Sequence, residues 1–313
     1  MSVNIYYHII PSKILFIVVF LISFITTVKI KISVPHKLLK VVWDEKIGKI
    51  YKNLEYENEN DNRYDLYIPT NINRDEDQSL ILFIHGGSFT GGSRKSGEPW
   101  CKFFASKGYV TATMDYTVHN KKHTSNLNLM NEEIASCVKA IKEACLDKGI
   151  KVTKMATTGE SAGGCLAMLY AFSKGESSAI PVKFVFQLTG PAHFEPSAWG
   201  HNDEASATAF ISMMSGKAVG KDDLKNGIAD EYWKDISPAY LVTDNSVPVL
   251  CAYGPRDTVV PPPIKYTLFE NLKSHGIPYD YIEYPNSNHV MCHDLDKSRE
   301  YIDMAISYCN KYF

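Results

Sequence analysis

The sequence predicts an α/β protein with a mostly parallel sheet flanked by helices, because short apolar runs alternate with longer stretches of helical length. The apolar runs are nearly continuous, which is typical of strands covered on both faces. The predicted strands occupy residues 79–84, 109–116, 155–158, 182–188, 247–253 and 279–284. The predicted helices occupy residues 98–107, 126–148, 161–174, 262–275 and 295–312.

Two further strands are predicted ahead of this alternation, at residues 49–57 and 62–69. The polar residues 58–62 separate them, and the second run alternates polar and apolar side chains. Two neighbouring strands joined by a short polar turn favour an antiparallel hairpin at the edge of the sheet.

One connection, between the strands at 182–188 and 247–253, is far longer than the few residues usual in such folds. Short helices are predicted within it at residues 205–214 and 221–228. We interpret residues 193–236 as a helical cap insertion over an active site. The alternative is a packed extra helix that has no gating role.

The N-terminus is a separate segment, because residues 14–28 are apolar and uncharged, with Lys13 before them and Lys29 after them. A membrane-spanning helix needs roughly 17–25 residues, and the apolar part of a signal peptide about 7–15. No small-residue cleavage site follows this stretch. We therefore expect residues 1–35 to be a single-pass membrane anchor, with secretion after signal cleavage as the alternative, and residues 36–313 to form one folded domain.

The overall composition is typical of a folded domain and gives no argument for a strongly charged partner. The chain has 33 basic and 35 acidic residues, for a formal net charge of −2, which gives no reason to expect a nucleic-acid partner. The 45% hydrophobic content is sufficient for a large core. The seven cysteines include no C-x-x-C pair and lie mostly in apolar stretches, so they are interpreted as small core residues and not as a disulfide framework.

The most informative motif is the G-x-S-x-G sequence at residues 159–164, Gly-Glu-Ser-Ala-Gly-Gly. A strand-like run precedes it and a run of helical length follows it, which is the context that this motif requires. Its small residues permit a sharp strand-to-helix turn that lifts the hydroxyl of Ser161 out of the sheet. Ser161 is therefore a candidate nucleophile.

A serine hydroxyl is a weak nucleophile, so it needs a base, and the base needs an acid to orient it. Asp257 follows the strand at 247–253, and His289 follows the strand at 279–284. Ligands of open α/β sheets bind at the carboxyl ends of the strands, so these two side chains and Ser161 are expected to converge.

Each of these residues also has another interpretation. Asp257 could cap the helix predicted from residue 262. Asp244 and Asp280 are rival acids, although they fit the strand order less well. His289 could be a surface histidine or, with His293, part of a metal site, but no second cluster of ligands accompanies them, so no metal is expected.

A second glycine-containing motif, His85-Gly86-Gly87-Ser88, follows the strand at 79–84. Glycines at this point allow backbone N–H groups to approach a developing oxyanion. The N–H groups of Gly86, Gly87 and Ala162 are predicted to form the oxyanion hole. Such donors each stabilise a transition state by roughly 3–4 kcal/mol.

Together these motifs resemble the α/β-hydrolase family, and within it the esterase/lipase branch with an HGG oxyanion motif, which includes hormone-sensitive-lipase-like and feruloyl-esterase-like enzymes. The resemblance covers about residues 49–313. It implies an eight-stranded sheet and no cofactor, with Ser161 as the nucleophile, His289 as the base and Asp257 as the orienting acid. The matching points are His85-Gly86-Gly87, Asp115-Tyr116, residues 159–164, Asp257 and His289.

The chain departs from the family pattern at three points. Ser88 stands where the family has a third glycine, and Thr117 stands where it often has arginine. Residues 119–123 replace a segment that is usually rich in proline. These differences leave the chemistry intact but weaken any transfer of substrate from the family. Glu160 fits the family elbow and is interpreted as a structural hydrogen-bonding residue or a weak modulator of the site.

These observations predict a serine carboxylesterase acting on a small-molecule ester through an acyl-enzyme on Ser161. The same residues would also suit an amidase, a formamidase or a peptidase, or a transacylase that passes the acyl group to an alcohol. A different class of function is a non-catalytic hydrolase fold that serves as a binding module. The sequence predicts neither the acyl group nor the oligomeric state.

Overall fold

The computed structural model describes residues 37–57 and 62–313, and within them one eight-stranded sheet organises the chain. The strands are β1 (Gly48–Glu57), β2 (Asn62–Pro69), β3 (Gln78–Ile84), β4 (Val110–Met114), β5 (Val152–Glu160), β6 (Val182–Leu188), β7 (Val249–Tyr253) and β8 (Tyr279–Glu283). Their order across the sheet is β1-β2-β4-β3-β5-β6-β7-β8.

Helices of eight residues or more lie mainly on the two faces of this sheet. They are α1 (Glu98–Ala105), α2 (Leu127–Leu146), α3 (Ala162–Ser173), α4 (Glu204–Ser215), α7 (Ile264–Ser274) and α8 (Leu295–Tyr312), and two shorter helices are α5 (Lys221–Lys225) and α6 (Ile228–Lys234).

The sheet is mostly parallel, as predicted. Strand β2 pairs antiparallel with β1 and with β4, and every pair from β4 across to β8 is parallel. The predicted hairpin therefore forms one edge of the sheet. The fold class and the α/β-hydrolase architecture are confirmed.

The continuous apolar strands are explained by a core on each side of the sheet. In β3, Leu80 and Leu82 face the cluster formed with α2, α3 and α7, whereas Ile81 and Phe83 face the cluster formed with α1 and α8. All four side chains are at most 2% exposed. A strand that is buried on both faces has no solvent-exposed side, so polar and apolar residues do not alternate along its sequence.

The long connection between β6 and β7 contains helices α4, α5 and α6. Helix α4 lies where a helix was predicted, with one more residue at each end. The predicted helix at residues 221–228 is instead two short helices, α5 and α6. They are separated by Gly227, which has a φ of 74° and so ends the first helix in the left-handed conformation.

The membrane localisation predicted from the sequence is wrong as far as the described chain can test it. In residues 37–57 and 62–313, no helix is both long and apolar enough to cross a bilayer. The segment 14–28, on which that prediction was based, lies outside the described residues, as do residues 1–35 as a whole.

Candidate active site

The turn between β5 and α3 holds Ser161 in an unusual backbone conformation, with φ 55° and ψ −124°. Such a conformation costs roughly 1–3 kcal/mol and persists only where the surrounding structure enforces it. Here the backbone N–H of Ser161 donates to the carbonyl of Leu188 at the end of β6, at 2.8 Å. The side chain of Ser161 is half-buried at the carboxyl edge of the sheet.

Glycines allow this turn and the loop after β3 to lie against each other. A Cβ added to Gly163 would lie 2.0 Å from the carbonyl oxygen of Ile84, and one added to Gly86 would lie 2.6 Å from that of Glu160. The latter atom would also lie 3.3 Å from the Cβ of Ser161. The loop after β3 therefore contacts the candidate nucleophile directly.

Three predicted residues lie in one hydrogen-bonded chain. His289 Nε2 lies 2.8 Å from Ser161 Oγ, and His289 Nδ1 lies 2.7 Å from Asp257 Oδ2. An ionised carboxylate only accepts hydrogen bonds, so Nδ1 carries the proton and Nε2 is left to accept from the serine hydroxyl. The geometry thus determines both the tautomer and the direction of each bond.

Asp257 also accepts hydrogen bonds from the turn that follows it. This agrees in part with the alternative interpretation, in which Asp257 caps the helix predicted from residue 262. Its Oδ1 accepts from the backbone N–H groups of Val259 and Val260, at 2.8 and 2.9 Å. These bonds stabilise the loop ahead of α7, while Oδ2 stays directed at His289. Its side chain is 2% exposed, against 18% for that of His289.

The two rival acids lie elsewhere. Asp244 is 86% exposed and pairs with His275 at 2.6 Å. Asp280 accepts a hydrogen bond from the hydroxyl of Tyr308, at 2.8 Å. The carboxylate that pairs with His289 is that of Asp257.

The loop after β3 carries the predicted oxyanion donors. Among residues 37–57 and 62–313, no hydrogen-bond acceptor is found for the backbone N–H groups of Gly86, Gly87 and Ala162. The next two residues, Ser88 and Phe89, have φ values of 54° and 61°. Ser88 therefore adopts the left-handed conformation that the glycine of the family pattern would adopt without strain.

Tyr116, which lies just after β4, supports this loop. The sequence analysis did not assign it that role. Its ring stacks on that of His85, with centroids 4.1 Å apart and planes 10° apart, and its hydroxyl donates to the His85 carbonyl at 2.8 Å. His85 is 1% exposed, and burial lowers the pKa of its imidazole. The sequence analysis noted the Asp115-Tyr116 pair. It could not predict that Tyr116 stacks on His85, because a contact between residues distant in the sequence depends on tertiary packing.

Glu160, next to the candidate nucleophile, accepts a hydrogen bond from the indole nitrogen of Trp100, at 3.0 Å. This contact links the elbow to α1 on the opposite face of the sheet from α3. It agrees with the structural role suggested for Glu160 from the sequence.

Lys265 is a second residue that the sequence analysis missed. It is 2% exposed at the start of α7, and its ammonium group lies over the rings of Tyr253, Tyr266 and Tyr281 at 5.1–5.9 Å. Burial lowers the pKa of this ammonium group, while the charges of Glu283 and Asp257 act in the opposite direction. The sequence does not indicate that Lys265 is buried, because a lysine in a helix usually lies on the surface.

Metal coordination has no support in the described part of the chain. No group of three or more His, Cys, Asp or Glu side chains there is arranged to hold a metal ion. His293 is exposed, and its backbone N–H donates to Ser287 Oγ at 3.1 Å.

A serine, a histidine and a buried aspartate at the carboxyl edge of an α/β-hydrolase sheet define the class of serine hydrolases. The BD-FAE family model matches residues 64–272, more than half of the chain. The chain belongs to this family of α/β-hydrolase esterases.

Two curated relatives share part of the sequence. Esterase LipC of Mycobacterium tuberculosis is 26% identical over 222 residues, which cover 67% of this chain and 52% of LipC. The non-reducing polyketide synthase stbA of Stachybotrys bisbyi is 25% identical over 142 residues, which cover 42% of this chain and 6% of the synthase. The chain thus spans about half the length of LipC and a small part of the synthase.

Solved structures of esterases share the fold. The propionate-bound esterase Est2 of Thermogutta terrifontis aligns with a TM-score of 0.67 and 17% identity, over 86% of this chain and 96% of its own. An inhibited esterase B from Lactobacillus rhamnosis aligns with a TM-score of 0.69 and 18% identity, over 94% and 96%. A truncated carbohydrate esterase from gut microbiota aligns with a TM-score of 0.64 and 15% identity, over 86% and 98%. At these identities the likeness establishes the fold alone.

Proposed function

We propose that this protein is a serine carboxylesterase that hydrolyses a small-molecule carboxylic ester through an acyl-enzyme on Ser161. The observation that carries the proposal is the hydrogen-bonded chain from Ser161 through His289 to Asp257, in a member of an esterase family. The proposed catalytic domain comprises residues 36–313.

In the first half of the reaction, His289 Nε2 takes the proton of the Ser161 hydroxyl as Oγ attacks the ester carbonyl carbon. The tetrahedral intermediate collapses when the bond to the alcohol oxygen breaks and the imidazolium gives that proton to the alcohol. In the second half, His289 takes a proton from water, whose oxygen attacks the acyl-enzyme, and then returns it to Ser161. Asp257 keeps the imidazole in one orientation and stabilises its positive charge.

The negative charge on the former carbonyl oxygen needs donors that are already in place. We assign that task to the backbone N–H groups of Gly86, Gly87 and Ala162. Their support is the direct contact between the loop and the elbow, and the lack of a protein acceptor for them among the described residues. A single donor of this kind is worth about 2.7–4 kcal/mol in the transition state.

We also propose that residues 193–236 cap this site. The ring of Phe89, in the oxyanion loop, lies 6.1 Å from that of Phe194, where the insertion begins. Phe194 in turn stacks on Trp199 at 5.8 Å. The insertion therefore starts as an aromatic layer against the loop that holds the proposed donors.

The proposal is tested with the full chain and with Ser161→Ala, by hydrolysis of p-nitrophenyl acetate, butyrate and octanoate. We expect measurable turnover for the wild-type protein and a loss of at least about a thousandfold for the variant, because the nucleophile is removed while the fold is kept. Circular dichroism and thermal unfolding of both proteins verify that the variant is folded.

Other outcomes separate the alternatives. Equal turnover by wild type and Ser161→Ala would contradict the assignment of the nucleophile. A folded wild-type protein that cleaves p-nitroanilides but not esters would be an amidase or peptidase. A folded protein that turns over neither substrate and resists fluorophosphonate labelling would be a binding module.

A further inference from the structure

One carboxylate closes the loop that joins β8 to α8, and this loop carries His289. The carboxylate belongs to Asp294, which is 8% exposed. The backbone N–H of Asn286 lies 3.1 Å from its Oδ2 and 3.3 Å from its Oδ1, and the side-chain amide of Asn286 donates to Oδ1 at 2.9 Å. The hydroxyl of Ser287 donates to Oδ2 at 2.6 Å. Residues 286–294 are therefore joined end to end, with His289 between the joined ends.

The side chain of Asp294 serves this loop and not the helix that follows it. Asp294 immediately precedes α8, a position where an aspartate commonly accepts from backbone N–H groups of the first helical turn. Among the described residues, the carboxylate makes no such bond to α8. The helix is instead started by the main chain, because the N–H of Ser298 donates to the carbonyl of Asp294 at 3.0 Å. The carboxylate is thus directed back at residues 286 and 287.

The serine of this closure ties the loop to the turn that carries Asp257. Ser287 is 0% exposed, and its Oγ accepts from the backbone N–H of His293 at 3.1 Å. Its carbonyl oxygen lies against Gly254, where an added Cβ would be 2.4 Å away. The backbone N–H of Asp257 in turn donates to the carbonyl of Gly254, at 3.2 Å. The segments that hold the proposed base and its orienting acid are therefore in direct contact.

Within the closed loop, the residues on both sides of His289 are held. The side chain of Asn288 accepts from the backbone N–H of Val290 at 3.0 Å, and its carbonyl accepts from that of Met291 at 3.2 Å. Met291 has a φ of 57°, and its side chain is 1% exposed in the cluster formed with α1 and α8. The chain thus turns sharply after His289 and is anchored in the core two residues later.

Asp294 is ionised in this arrangement. Burial raises the pKa of its carboxyl, but the hydrogen bonds from Ser287 and Asn286 act in the opposite direction, and the pKa is held below its ordinary value. Hydrogen bonds to an ionised carboxylate are roughly twice as strong as those between neutral groups. The closure is therefore at full strength at neutral pH.

We propose that Asp294 is a positioning residue for the proposed reaction, which closes the loop around His289 and so holds the imidazole in line between Ser161 and Asp257. Proton transfer requires the base to lie within hydrogen-bonding reach of the hydroxyl. Asp294 acts through the loop, and its bonds are made to Asn286 and Ser287. The inference rests on the proposed esterase function, although the geometry of the imidazole can be measured without an ester.

The test is made with Asp294→Asn in the full chain. Whichever oxygen is replaced, the new NH₂ group faces an N–H donor of Asn286, so the closure is weakened while the size of the side chain is kept. We expect kcat for p-nitrophenyl butyrate to fall by about tenfold to a hundredfold while KM changes little, because a displacement of about 1 Å at a reacting group can cost a hundredfold. Thermal unfolding verifies that the variant is folded at the assay temperature.

A second readout reports the imidazole itself. The proton that His289 Nδ1 shares with Asp257 should give a strongly downfield signal in the proton NMR spectrum of the wild-type protein. Its absence in Asp257→Asn identifies it. In Asp294→Asn this signal should shift or broaden. A merely structural role for Asp294 would lower Tm but leave both the signal and the kcat of the folded protein unchanged.

Two controls match the chemistry and the location of the change. Asp44→Asn alters a carboxylate that accepts from the backbone N–H groups of Lys46 and Ile47, at 2.9 and 3.1 Å, in the turn ahead of β1. Tyr308→Phe removes a buried hydroxyl that lies 3.1 Å from the carbonyl oxygen of Val249, near the other end of α8. Both variants should keep the wild-type kcat and the wild-type signal.

Ser287→Ala removes a different part of the same closure. It should lower kcat in the same direction and shift the same signal. Combined with Asp294→Asn, it should cost less than the product of the two single effects, because the two residues share one hydrogen bond.

The outcomes separate the role of Asp294 from the function. If no ester is cleaved in a Ser161-dependent way, the proposed function fails, and the NMR signal alone decides whether Asp294 positions the imidazole. A folded Asp294→Asn protein with the wild-type signal overturns the inference, whatever its kcat. If Asp294→Asn does not fold, Ser287→Ala decides, and a wild-type signal and kcat in that variant overturn the inference.

Discussion

Asp257 uses both of its carboxylate oxygens, one for His289 and the other for the turn ahead of α7. The turn therefore fixes the direction of the oxygen that faces the imidazole. We expect Asp257 to position the imidazole of His289 and to supply a negative charge beside it. A substitution that removes the carboxylate should therefore remove both effects.

Asp257→Asn is expected to lower kcat by about 10³–10⁴-fold. If the amide oxygen of the asparagine keeps the bonds to Val259 and Val260, its NH₂ group faces His289 Nδ1. The imidazole is then held in the tautomer whose Nε2 carries a proton and cannot accept from Ser161. Steady-state kinetics with p-nitrophenyl butyrate measure the effect.

The controls for this prediction are Asp244→Asn and Asp280→Asn, which change the same group at the two rival positions. Both should retain the wild-type rate. A large loss in either, with little loss in Asp257→Asn, would move the acid to another residue.

Tyr116 holds the oxyanion loop by a hydrogen bond and a ring stack, and Tyr116→Phe removes only the hydrogen bond. We expect kcat to fall by roughly tenfold with little change in KM, because donors that are less well held lose most of their effect in the transition state. Tyr64→Phe is the matched control, since its hydroxyl donates to the carbonyl of Ala140, away from the site. Equal kcat values for Tyr116→Phe and wild type would show that the stack alone holds the loop.

Helix α3 starts at the elbow and packs directly against the end of β3, where Gly163 meets the carbonyl oxygen of Ile84. This contact determines the position of Ser161, the proposed nucleophile, relative to the loop after β3 that carries the proposed oxyanion donors. The glycines of the motif are thus needed for the close packing of α3 against the end of β3 as well as for the turn itself.

Gly163→Ala should lower the free energy of unfolding by more than about 3 kcal/mol, because overpacking against a fixed backbone forces the helix to move. Gly91→Ala is the control, since its added Cβ would meet only the carbonyl oxygen of Gly87, at 4.0 Å. Urea denaturation of both variants measures the difference. A Gly163→Ala protein as stable as the control would mean that α3 is free to shift.

The strands and helices of the two-sided core were predictable because an apolar run is a local signal. The strand order was not, since the position of β4 between β2 and β3 depends on pairing between distant residues. The division of the predicted helix at 221–228 was also missed, because one glycine can lie within a helix or end it. The cap at residues 193–236 stays a prediction, and in the sequence it is indicated only by the length of the connection.

The candidate site was predictable to the extent that its residues follow strands. Ser161, Asp257 and His289 each come after a strand of a parallel sheet, so their approach to one edge follows from topology. Tyr116 stacks on His85, and the ammonium group of Lys265 lies over tyrosine rings. Neither contact could be predicted from the sequence, because both depend on the tertiary packing.

The molecule as a whole buries several neutral histidines, which links its stability to pH. Burial lowers the pKa of His85, His193 and His201 below the ordinary value of 6.5. Below that value the unfolded chain takes up protons that the folded chain does not, so protonation favours unfolding. The stability is therefore present above the unfolded-state pKa and is lost as the pH falls through it.

We expect the free energy of unfolding to be nearly constant above about pH 7.5 and to decrease as the pH is lowered to about 5.5. Urea denaturation at a series of pH values measures it. His201→Gln removes one of the three groups, so its stability should depend less steeply on pH. A wild-type stability that does not change across this interval would show that folding leaves the pKa values of these histidines unchanged.

Acylation of Ser161 is the step on which the proposed function depends most directly. The full chain is mixed with p-nitrophenyl butyrate, quenched in acid within the first turnover and digested for peptide mass mapping. We expect a burst of p-nitrophenol that approaches one equivalent, a butyryl group on Ser161, and neither in Ser161→Ala. A butyryl group on a different residue, or turnover of the ester by folded Ser161→Ala at the wild-type rate, would contradict the proposal.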